Sequence, residues 1–518
     1  MTIMQRTSAA AQGCTGQGFF TGAEYLESLK DGREVWINGE RVDDVTTHPA
    51  FRNSARMIAR LYDSLHDPAK RDLLTVERPD GGRAHRFFQA PRTWEEQVAA
   101  RDAVAEWARM TYGWMGRSPD YKGSWIASLA VDEGLYGEYY GNAKRWHDFV
   151  CDRLPYLNHA IVHPPVDRHL SNNNDVFVHV DEETDAGLIV SGAKVVATGA
   201  ALTHHTFVAH FQTVNERKYS PVFMVPTNAP GLKLICRTSF ELAAATVGSP
   251  FDNPLSSRFD ENDSILVLDR VFIPWEDVLM YGEEQANKFV FGTGFLTRAL
   301  LHGCTRLSVK LGFLSGLFMK AVEITGTKDF RGVQAAVGEV IGARNTIAAL
   351  ADTMARNATP WHGYVLPDVE AALSYRAIGG DTYSRVRNLI YKTVGSALIY
   401  LPSSTQDLLD PTVRPYLDKY VRGSNGIDSE QRVKTLKLLW DAVGSEFASR
   451  HELYEINYAG SYEASQIEPL NAARGMGRAA EYLAMVDACM AEYDLNGWTA
   501  PDLIGSGDVN VRKKPRNG

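Results

Sequence analysis

Residues 295–324 read FLTRALLHGCTRLSVKLGFLSGLFMKAVEI, and this stretch indicates the fold more clearly than any other part of the chain. Its apolar residues recur every three to four positions, which is the period of an α-helix that buries one face. Similar periodic stretches follow over residues 333–355, 371–400, 430–458 and 464–493. Helices of these lengths predict a C-terminal helical bundle over residues 281–518.

The region before the bundle, residues 151–280, has a different pattern. Short β-branched runs such as GLIVSGAKVVATG, PVFMVP and SILVLDRVFIP alternate with turns rich in Gly, Pro, Asn and Asp. Such runs are typical of short strands. They predict a central β domain, built as a small barrel or a sandwich.

Residues 19–150 are mostly helical in pattern. In TGAEYLESLKDG, Thr21 and Glu24 have the spacing of a capping box, and Gly32 is expected to end the helix. The first 18 residues are rich in Ser, Ala, Gly and Gln and are expected to form a flexible leader. The predicted fold is therefore mainly α with a central β domain.

The bulk composition argues against several classes of function. The 518 residues carry a formal net charge of -9 and the only basic run is in the C-terminal tail, so no nucleic-acid partner is expected. No stretch approaches the roughly 18 apolar residues of a membrane span, and no signal peptide is visible. Five scattered cysteines form no CxxC pair, so neither a disulfide framework nor a metal site is expected. A cytoplasmic protein without a membrane partner is predicted.

Three polar segments in apolar surroundings are candidates for a functional site, and the common nucleotide and metalloprotease motifs are missing. YGWMGRSPDYKG places Arg117 before a Ser-Pro pair, LNHAIVHPPVDR places His159 before a double proline, and the bundle helix contains His302. Each segment has a plain structural alternative, namely a helix-ending turn, a connection between domains and a core histidine. The residues alone leave these alternatives open.

Several long motifs, in order along the chain, carry a resemblance to a known family. They are TGAEYLESLKDGREVWINGERVDDVTTHPAFRNS, YGWMGRSPDYKG, NHAIVHPPVDR, GLIVSGAKVVATG and GSEFASRHELYEINYAG. From about residue 21 to about residue 503 the chain resembles the oxygenase components of 4-hydroxyphenylacetate 3-monooxygenase and of its relative 4-coumarate 3-hydroxylase. The resemblance implies an acyl-CoA-dehydrogenase-like fold, with a helical domain, a β domain and a C-terminal four-helix bundle that assembles into a homotetramer.

The resemblance also implies a reaction. Members of this family take FADH2 from a separate NAD(P)H:flavin oxidoreductase and use O2 to hydroxylate a 4-hydroxyphenyl compound next to its hydroxyl group. A phenol has a pKa of about 10, so forming the reactive phenolate at neutral pH needs a cation or a base beside it. The expected substrate is 4-coumarate, 4-hydroxyphenylacetate or a similar phenol, with a preference for a phenylpropanoid acid and broad tolerance of the para substituent.

Carried over residue by residue, the resemblance implies that Arg117, Tyr121 and His159 hold the substrate hydroxyl. His302 matches a histidine that a halophenol- and nitrophenol-hydroxylating branch uses as the base, so two candidate bases remain. Flavin contacts are implied at His159, Ala160, Ile161, Pro165, Val166, Asp167, Arg168, Thr198, Ala459, Gly460, Ser461 and Tyr462.

The loop QTVNERKYS, residues 212–220, is expected either to meet the para substituent or to be a solvated hairpin loop. Its charged residues Arg217 and Lys218 would suit a carboxylate.

Three other functions fit parts of the pattern. A 4-hydroxybutyryl-CoA dehydratase holds an iron–sulfur cluster with one histidine and three cysteines, but here only Cys304 is near His302, and Val309 stands where the third cysteine would fall. An acyl-CoA dehydrogenase needs a catalytic carboxylate that the sequence does not identify. A non-catalytic helical scaffold would be expected to lose at least one implied site residue, and all are present.

Overall fold

The computed structural model describes residues 18–500, apart from residues 168, 170–175, 212, 459 and 496. It divides into two compact units between residues 459 and 460. The larger unit contains a helical, a β and a second helical region in the predicted order. The basic tail and nearly all of the predicted leader lie outside the described residues.

The N-terminal region is helical with two short hairpins. Its helices are α1 (Gly22–Ser28), α2 (Arg52–Ser64), α3 (Arg71–Leu74), α4 (Trp94–Met110), α5 (Gly123–Ile126), α6 (Glu133–Tyr136) and α7 (Tyr140–Arg153), and its strands are β1 (Val35–Ile37), β2 (Glu40–Val42), β3 (Thr75–Glu77) and β4 (Arg83–His85). Thr21 caps α1 through the predicted capping box with Glu24. The helix ends at Ser28, however, and not at Gly32 as the sequence predicted.

The central region forms two sheets. Its elements are β5 (Leu157–Ala160), β6 (His179–Thr184), β7 (Gly187–Thr198), β8 (His205–Val208), β9 (Val222–Pro226), β10 (Leu232–Cys236), α8 (Phe240–Val247), β11 (Asp263–Pro274) and β12 (Val278–Met280). One sheet has the order β2-β1-β10-β11-β7-β6 and the other the order β12-β9-β8-β5. The larger sheet takes two strands from the N-terminal region, because β1 pairs in parallel with β10. This pairing was not predicted, since a strand of three residues is too short to show a period.

The second helical region follows in the predicted place, but it also contains a short hairpin and three helices that were not predicted, and one predicted helix is divided. Its elements are α9 (Glu283–Gly292), α10 (Phe295–Ile324), α11 (Arg331–Arg356), β13 (Thr359–Trp361), β14 (Tyr364–Leu366), α12 (Val369–Ile399), α13 (Thr405–Leu409), α14 (Arg414–Tyr420), α15 (Ser429–Val443) and α16 (Glu446–Ile456). The helix predicted over residues 430–458 is in fact two helices. Ser445 caps α16, and Gly444 lies so close to the Trp440 ring that a Cβ there would collide with it.

The smaller unit is a helical pair followed by a short hairpin. It consists of α17 (Tyr462–Gly475), α18 (Arg478–Met490), β15 (Tyr493–Asp494) and β16 (Gly497–Trp498). The single helix predicted over residues 464–493 is wrong, because Gly477 adopts φ +81 and separates the two helices. A left-handed residue cannot continue a right-handed helix.

The three regions of the larger unit meet around the segment that follows α4. The 3-10 turn Pro119–Lys122 contacts β5, and α5 directly after it packs on α10. Residues from the N-terminal region, the β region and the bundle therefore surround one place in the fold.

Candidate active site

A tight turn after α4 carries the first group of candidate residues. The backbone N–H groups of Gly116 and Arg117 donate to the two carboxylate oxygens of Glu261, at 2.9 and 2.5 Å. Tyr156 donates its hydroxyl to the Arg117 carbonyl at 2.8 Å. The chain then enters the turn Pro119–Lys122, whose first position suits a proline. Because Glu261 and Tyr156 both bond the backbone of Arg117, its position is fixed.

The structure brings Arg117, Tyr121 and His159 together. His159 lies on β5, opposite Phe207 of the parallel strand β8. The Tyr121 ring stacks on the His159 ring with centroids 5.4 Å apart, and the Arg117 guanidinium carbon lies 4.1 Å from the Tyr121 centroid. All three residues are at least nine-tenths buried. The three positions implied by the resemblance thus form one cluster, which we call the phenol cluster.

Lys122 places a second basic side chain beside the phenol cluster. Its Nζ lies 2.5 Å from His159 Nδ1 and 4.6 Å from the centroid of the Tyr121 ring. Burial, followed by the charges of Lys122 and Arg117, holds the pKa of His159 well below its usual value. Burial, followed by the Arg117 charge, likewise lowers the pKa of Lys122. Positive charge in a buried place favours the ionised form of an acidic ligand.

His302 also contacts the phenol cluster. Its ring packs edge to face against Tyr121, with centroids 5.2 Å apart. Its Nε2 is 3.3 Å from Asp120 Oδ1, and both side chains are 1% exposed. Burial alone would raise the pKa of Asp120, but its neighbours, His302 first, lower it overall. His302 is therefore part of a buried carboxylate–imidazole pair that touches Tyr121, and not simply a histidine packed in the core.

Two tyrosines from the end of the bundle complete the surroundings of Arg117 and were not predicted. Arg117 donates from Nη1 to the Tyr454 hydroxyl at 2.5 Å and from Nη2 to the Tyr458 carbonyl at 3.3 Å. A Cβ at Gly116 or at Gly303 would collide with Tyr454 or Tyr458, respectively, so both glycines make room for these rings. The signal in the sequence was HELYEINYAG, in which tyrosines four residues apart share one helical face.

A bulge in β7 shapes the surface where flavin contacts are implied. The pairing of β7 with β11 shifts register between Lys194 and Ala197, and Val196 within the bulge has φ +57. A positive φ is rare for a β-branched residue, and such strain is concentrated at functional sites. The bulge leaves Val196 58% exposed, beside the segment in which Val162 is 41% exposed.

Thr198 follows this bulge and donates its hydroxyl to Asp263 at 2.6 Å. Its oxygen still has acceptor capacity. Apolar surface next to a polar side chain is the usual composition of a cofactor site, so these residues fit a flavin ring.

The other implied flavin contacts fall in three parts of the chain. Ala160 is buried in β5, and the loop after it is mostly accessible at the implied positions Ile161, Pro165, Val166 and Asp167. Gly460, Ser461 and Tyr462 begin the smaller unit, where the Ser461 hydroxyl accepts a hydrogen bond from a backbone N–H as the N-cap of α17. Arg168 and Ala459 lie outside the described residues. These contacts remain predictions.

The loop over residues 212–220 holds its cations against neighbouring residues. The Arg217 Nε is 3.7 Å from Glu183, and its guanidinium carbon lies 4.0 Å from the Tyr281 centroid. Lys218 is 3.6 Å from a neighbouring glutamate. Contact between this loop and a substrate carboxylate remains a prediction, and would require these pairs to open.

Comparison with known proteins identifies the family. The family models described as 4-hydroxyphenylacetate 3-hydroxylase N terminal and C terminal match residues 21–280 and 286–490. The chain belongs to the 4-hydroxyphenylacetate 3-hydroxylase family. It is 53% identical to the oxygenase component of a 4-nitrophenol 2-monooxygenase from Rhodococcus sp, over 95% of this chain and 96% of that protein.

A second member of the 4-hydroxyphenylacetate 3-hydroxylase family is a (3S)-3-amino-3-(3-chloro-4-hydroxyphenyl)propanoyl-[peptidyl-carrier protein SgcC2] monooxygenase from Streptomyces globisporus. It is also 53% identical, over 96% of each chain. The solved oxygenase component of 4-hydroxyphenylacetate 3-monooxygenase, complexed with FAD and 4-hydroxyphenylacetate, is 30% identical with a TM-score of 0.83, covering 91% of this chain and 99% of that chain.

A 4-hydroxybutyryl-CoA dehydratase from N. maritimus has a TM-score of 0.81, over 90% of this chain and 95% of that chain, at 21% identity, and this likeness concerns the fold alone. The predicted acyl-CoA-dehydrogenase-like fold is confirmed.

The geometry around Cys304 does not resemble an iron–sulfur site. Its thiol donates to the Ile347 carbonyl at 3.2 Å, and positions two residues apart, such as His302 and Cys304, do not share a helical face. Within the described ranges, no group of three His, Cys, Asp or Glu side chains is arranged to hold a metal ion. In the same part of the chain, no helix has the length and apolar character needed to cross a membrane.

Proposed function

We propose that this chain hydroxylates the ring of a 4-hydroxyphenyl compound next to its hydroxyl group, with Arg117, Tyr121 and His159 holding that hydroxyl. As a family member, the chain is a flavin-dependent aromatic monooxygenase that uses FAD and O2 and is the oxygenase component of a two-component system. The observation that best supports the site assignment is the buried phenol cluster, in which Tyr121 stacks on His159 beside the Arg117 guanidinium.

Arg117 supplies the positive charge that the reaction requires. Ionising a phenol of pKa about 10 at pH 7 costs about 4 kcal/mol. A cation roughly 4 Å from the phenolate oxygen returns about 4 kcal/mol at an effective dielectric constant near 20, so one well-placed guanidinium is sufficient. Because Tyr454 and Tyr458 already hold Arg117, little reorganisation is needed when the substrate arrives.

His302 is the proposed proton acceptor. The Asp120 carboxylate lies 3.3 Å from its Nε2 and orients the ring, and the His302 ring already contacts Tyr121. His159 instead faces the cationic side chain of Lys122, which disfavours a second positive charge there. Tyr121 touches both imidazole rings and donates its hydroxyl to the substrate oxygen in this scheme.

The β region and the loop after β5 hold the flavin in this proposal. The exposed surface at Val162 and Val196, together with Thr198 and the loop through Asp167, supplies the contacts. When bound, reduced FAD supplies the activated oxygen atom derived from O2. The chain's own contribution is to orient the phenol and to keep water from the buried phenol cluster.

The para substituent distinguishes the possible substrates. A phenylpropanoid acid such as 4-coumarate is the proposed substrate, with broad tolerance of other para groups. The names of two similar relatives support this tolerance, since one is a 4-nitrophenol monooxygenase and the other acts on a carrier-bound aminopropanoyl phenol. A separate cytoplasmic NAD(P)H:flavin oxidoreductase supplies FADH2. A preference of more than about a hundredfold in kcat/KM for one acid would contradict broad tolerance.

The active form is proposed to be a homotetramer. On α18, Leu483, Met485 and Met490 are 65%, 69% and 56% exposed. Exposed apolar surface of this kind is typical of protein interfaces, and a second copy of the chain is the proposed partner. Light scattering is expected to give a mass near four chains of 57.4 kDa, whereas a monomeric mass would exclude this arrangement.

A coupled assay tests the function directly. The oxygenase is mixed with a generic flavin reductase, NADH and FAD, and catechol formation is followed from 4-coumarate and from 4-hydroxyphenylacetate. Catechol from either acid is expected. Peroxide alone, with no catechol from a panel of phenols, would favour the non-catalytic scaffold.

The same assay assigns the base. His302→Ala is expected to lose catechol while still forming peroxide. The matched control is His362→Ala, which changes a histidine that is half exposed in the β13–β14 hairpin. Equal catechol formation by wild type and His302→Ala would indicate that the residues of the phenol cluster, and not His302, deprotonate the substrate.

A further inference from the structure

Lys122 is a buried basic side chain to which the proposed function gives no role of its own toward the substrate. It is 1% exposed, and no carboxylate pairs with it among the contacts of the described residues. The Glu261 carboxylate acts on Lys122 through its charge, and its oxygens already accept the backbone N–H groups of Gly116 and Arg117. Burial lowers the pKa of Lys122, so its amine can be neutral in the empty site and become charged when an anion binds beside it, and either form can donate a hydrogen bond.

The contact of Lys122 is specific to one nitrogen of His159. Its Nζ lies 2.5 Å from Nδ1, and when Lys122 is charged its ammonium can only donate, so Nδ1 then accepts this hydrogen bond. A neutral imidazole carries one proton, which must then be on Nε2. The two nearby cations keep the His159 ring neutral by disfavouring a further positive charge. The second nitrogen of His159 is therefore a donor.

We propose that Lys122 is a positioning residue for the hydroxylation: by donating to His159 Nδ1, it fixes the proton on Nε2 and makes His159 a hydrogen-bond donor to the phenolate oxygen. This inference rests on the proposed function, because it concerns the same phenol. A hydrogen bond donated to the substrate oxygen strengthens as that oxygen becomes negative. A base at the same position would instead have to remove the proton from that oxygen. Lys122 thus helps to keep the substrate ionised, and the proton leaves by another residue.

Removing the Lys122 side chain is expected to change the ionisation of the bound phenol. Without Lys122, either nitrogen of His159 can carry the proton, and one positive charge is lost from the surroundings of Tyr121. We expect the apparent pKa of the bound phenol to rise by about one unit. At a fixed pH below that pKa, the bound ligand then contains about tenfold less phenolate.

The test uses 4-nitrophenol, because its phenolate absorbs visible light and its phenol form does not. Wild type, Lys122→Met and Lys122→Arg are loaded with reduced FAD under anaerobic conditions and titrated with 4-nitrophenol at a series of pH values. The absorbance of the phenolate gives the ionised fraction without any turnover. Circular dichroism and the binding of reduced FAD show whether each variant is folded.

Lys310→Met is the matched control. Lys310 is also fully buried, and its Nζ lies 3.4 Å from the Nδ1 atom of a histidine, His451, but in the helical bundle. We expect this control to bind 4-nitrophenol with the wild-type ionised fraction. Lys122→Met is expected to lose about tenfold in phenolate, and Lys122→Arg, which keeps a charged donor, to recover most of it.

The outcomes separate this inference from the proposed function. If wild type binds no phenolate, the proposed function of the phenol cluster fails. If wild type binds phenolate and folded Lys122→Met binds as much, or folded Lys310→Met loses as much, the role of Lys122 is overturned.

A double-mutant cycle then tests whether Lys122 acts through His159. The loss caused by His159→Ala is expected to shrink in the Lys122→Met background, and full additivity would contradict action through this ring.

Discussion

Replacing Arg117 with lysine separates the charge of the guanidinium from its shape. Arg117 donates to two acceptors, the Tyr454 hydroxyl and the Tyr458 carbonyl, at 2.5 and 3.3 Å, and its flat face lies 4.1 Å from the Tyr121 centroid. A lysine keeps the charge but cannot make the planar fork or stack in the same way. Losing one charged hydrogen bond costs about 1.5–3 kcal/mol, and losing a buried cation–π contact costs about 1–2 kcal/mol.

Because these contacts hold the guanidinium in place before the substrate binds, their loss lets the cation move away from the phenolate. Losing most of the roughly 4 kcal/mol that a cation at about 4 Å returns predicts a fall of about a hundredfold in kcat/KM for Arg117→Lys. The assay is the coupled reaction, with catechol and peroxide measured separately over a range of 4-hydroxyphenylacetate concentrations. Because the flavin step does not need Arg117, the variant should still consume O2 and release peroxide. The matched control is Arg109→Lys, whose side chain is 59% exposed and pairs with Glu106 at 3.0 Å.

Two results would refute the reasoning about Arg117. If Arg117→Lys kept kcat/KM within about threefold of wild type, the planar fork would be unnecessary. If Arg117→Met lost no more activity than Arg117→Lys, the positive charge would not be the property that matters. The expected order is wild type, then lysine, then methionine, with methionine lowest because it can neither donate nor offset the phenolate charge.

Three further substitutions test other parts of the structure. Asp120→Asn should lower kcat about tenfold for 4-hydroxyphenylacetate but less for 4-nitrophenol, because 4-nitrophenol ionises more readily. Equal losses of kcat for the two substrates in steady-state assays would exclude Asp120 from assisting His302. Gly116→Ala should destabilise the fold by about 1–3 kcal/mol and impair turnover, because the added Cβ would collide with a buried tyrosine hydroxyl. The control Gly141→Ala places its Cβ in open space and should leave the free energy of unfolding in denaturant titrations unchanged. Burial would raise the pKa of Glu455, but its two cationic partners lower it to about 2 from 4.5, so the stability it contributes is present above pH 4.5 and lost as the pH falls toward 2. Glu455→Gln should cost about 3–5 kcal/mol at neutral pH and lack this acid-dependent loss in unfolding curves, and an unchanged pH dependence would contradict the assignment.

The long periodic elements of the fold could be predicted from the sequence, and the places where helices stop could not. The helix over residues 295–324 begins and ends as its apolar period indicated, because one continuous face is buried along its whole length. The breaks at Gly444 and Gly477 depend on a ring packed against one glycine and on a left-handed backbone at the other. A hydrophobic period continues through both positions and therefore conceals them.

The candidate site shows a similar division. Arg117, Tyr121 and His159 came from a family resemblance and not from spacing, since no local pattern indicates that a turn after α4 meets a strand from the β region. Lys122 and Tyr454 were missed for the same reason. From sequence alone, a lysine next to a tyrosine is expected to lie at the surface, and a tyrosine in a helix is expected to pack in the core.

Two buried groups of cations in this chain differ in one respect that separates structure from function. Arg306 and Lys310 both bond to Glu455, at 2.6 and 3.0 Å, so one carboxylate offsets part of the buried positive charge within the bundle. Among the described residues, Arg117 and Lys122 form no such ion pair. Selection for stability alone would favour a compensating acid or apolar side chains at both places.

The Glu261 carboxylate acts on the charges of Arg117 and Lys122 without bonding either side chain among the described contacts, so the empty site still favours an incoming anion. A phenolate supplies the missing negative charge at the oxygen that must be ionised for reaction. On this reasoning the absence of a carboxylate partner is a functional feature, and an acid introduced beside Arg117 would stabilise the fold at the expense of phenol ionisation.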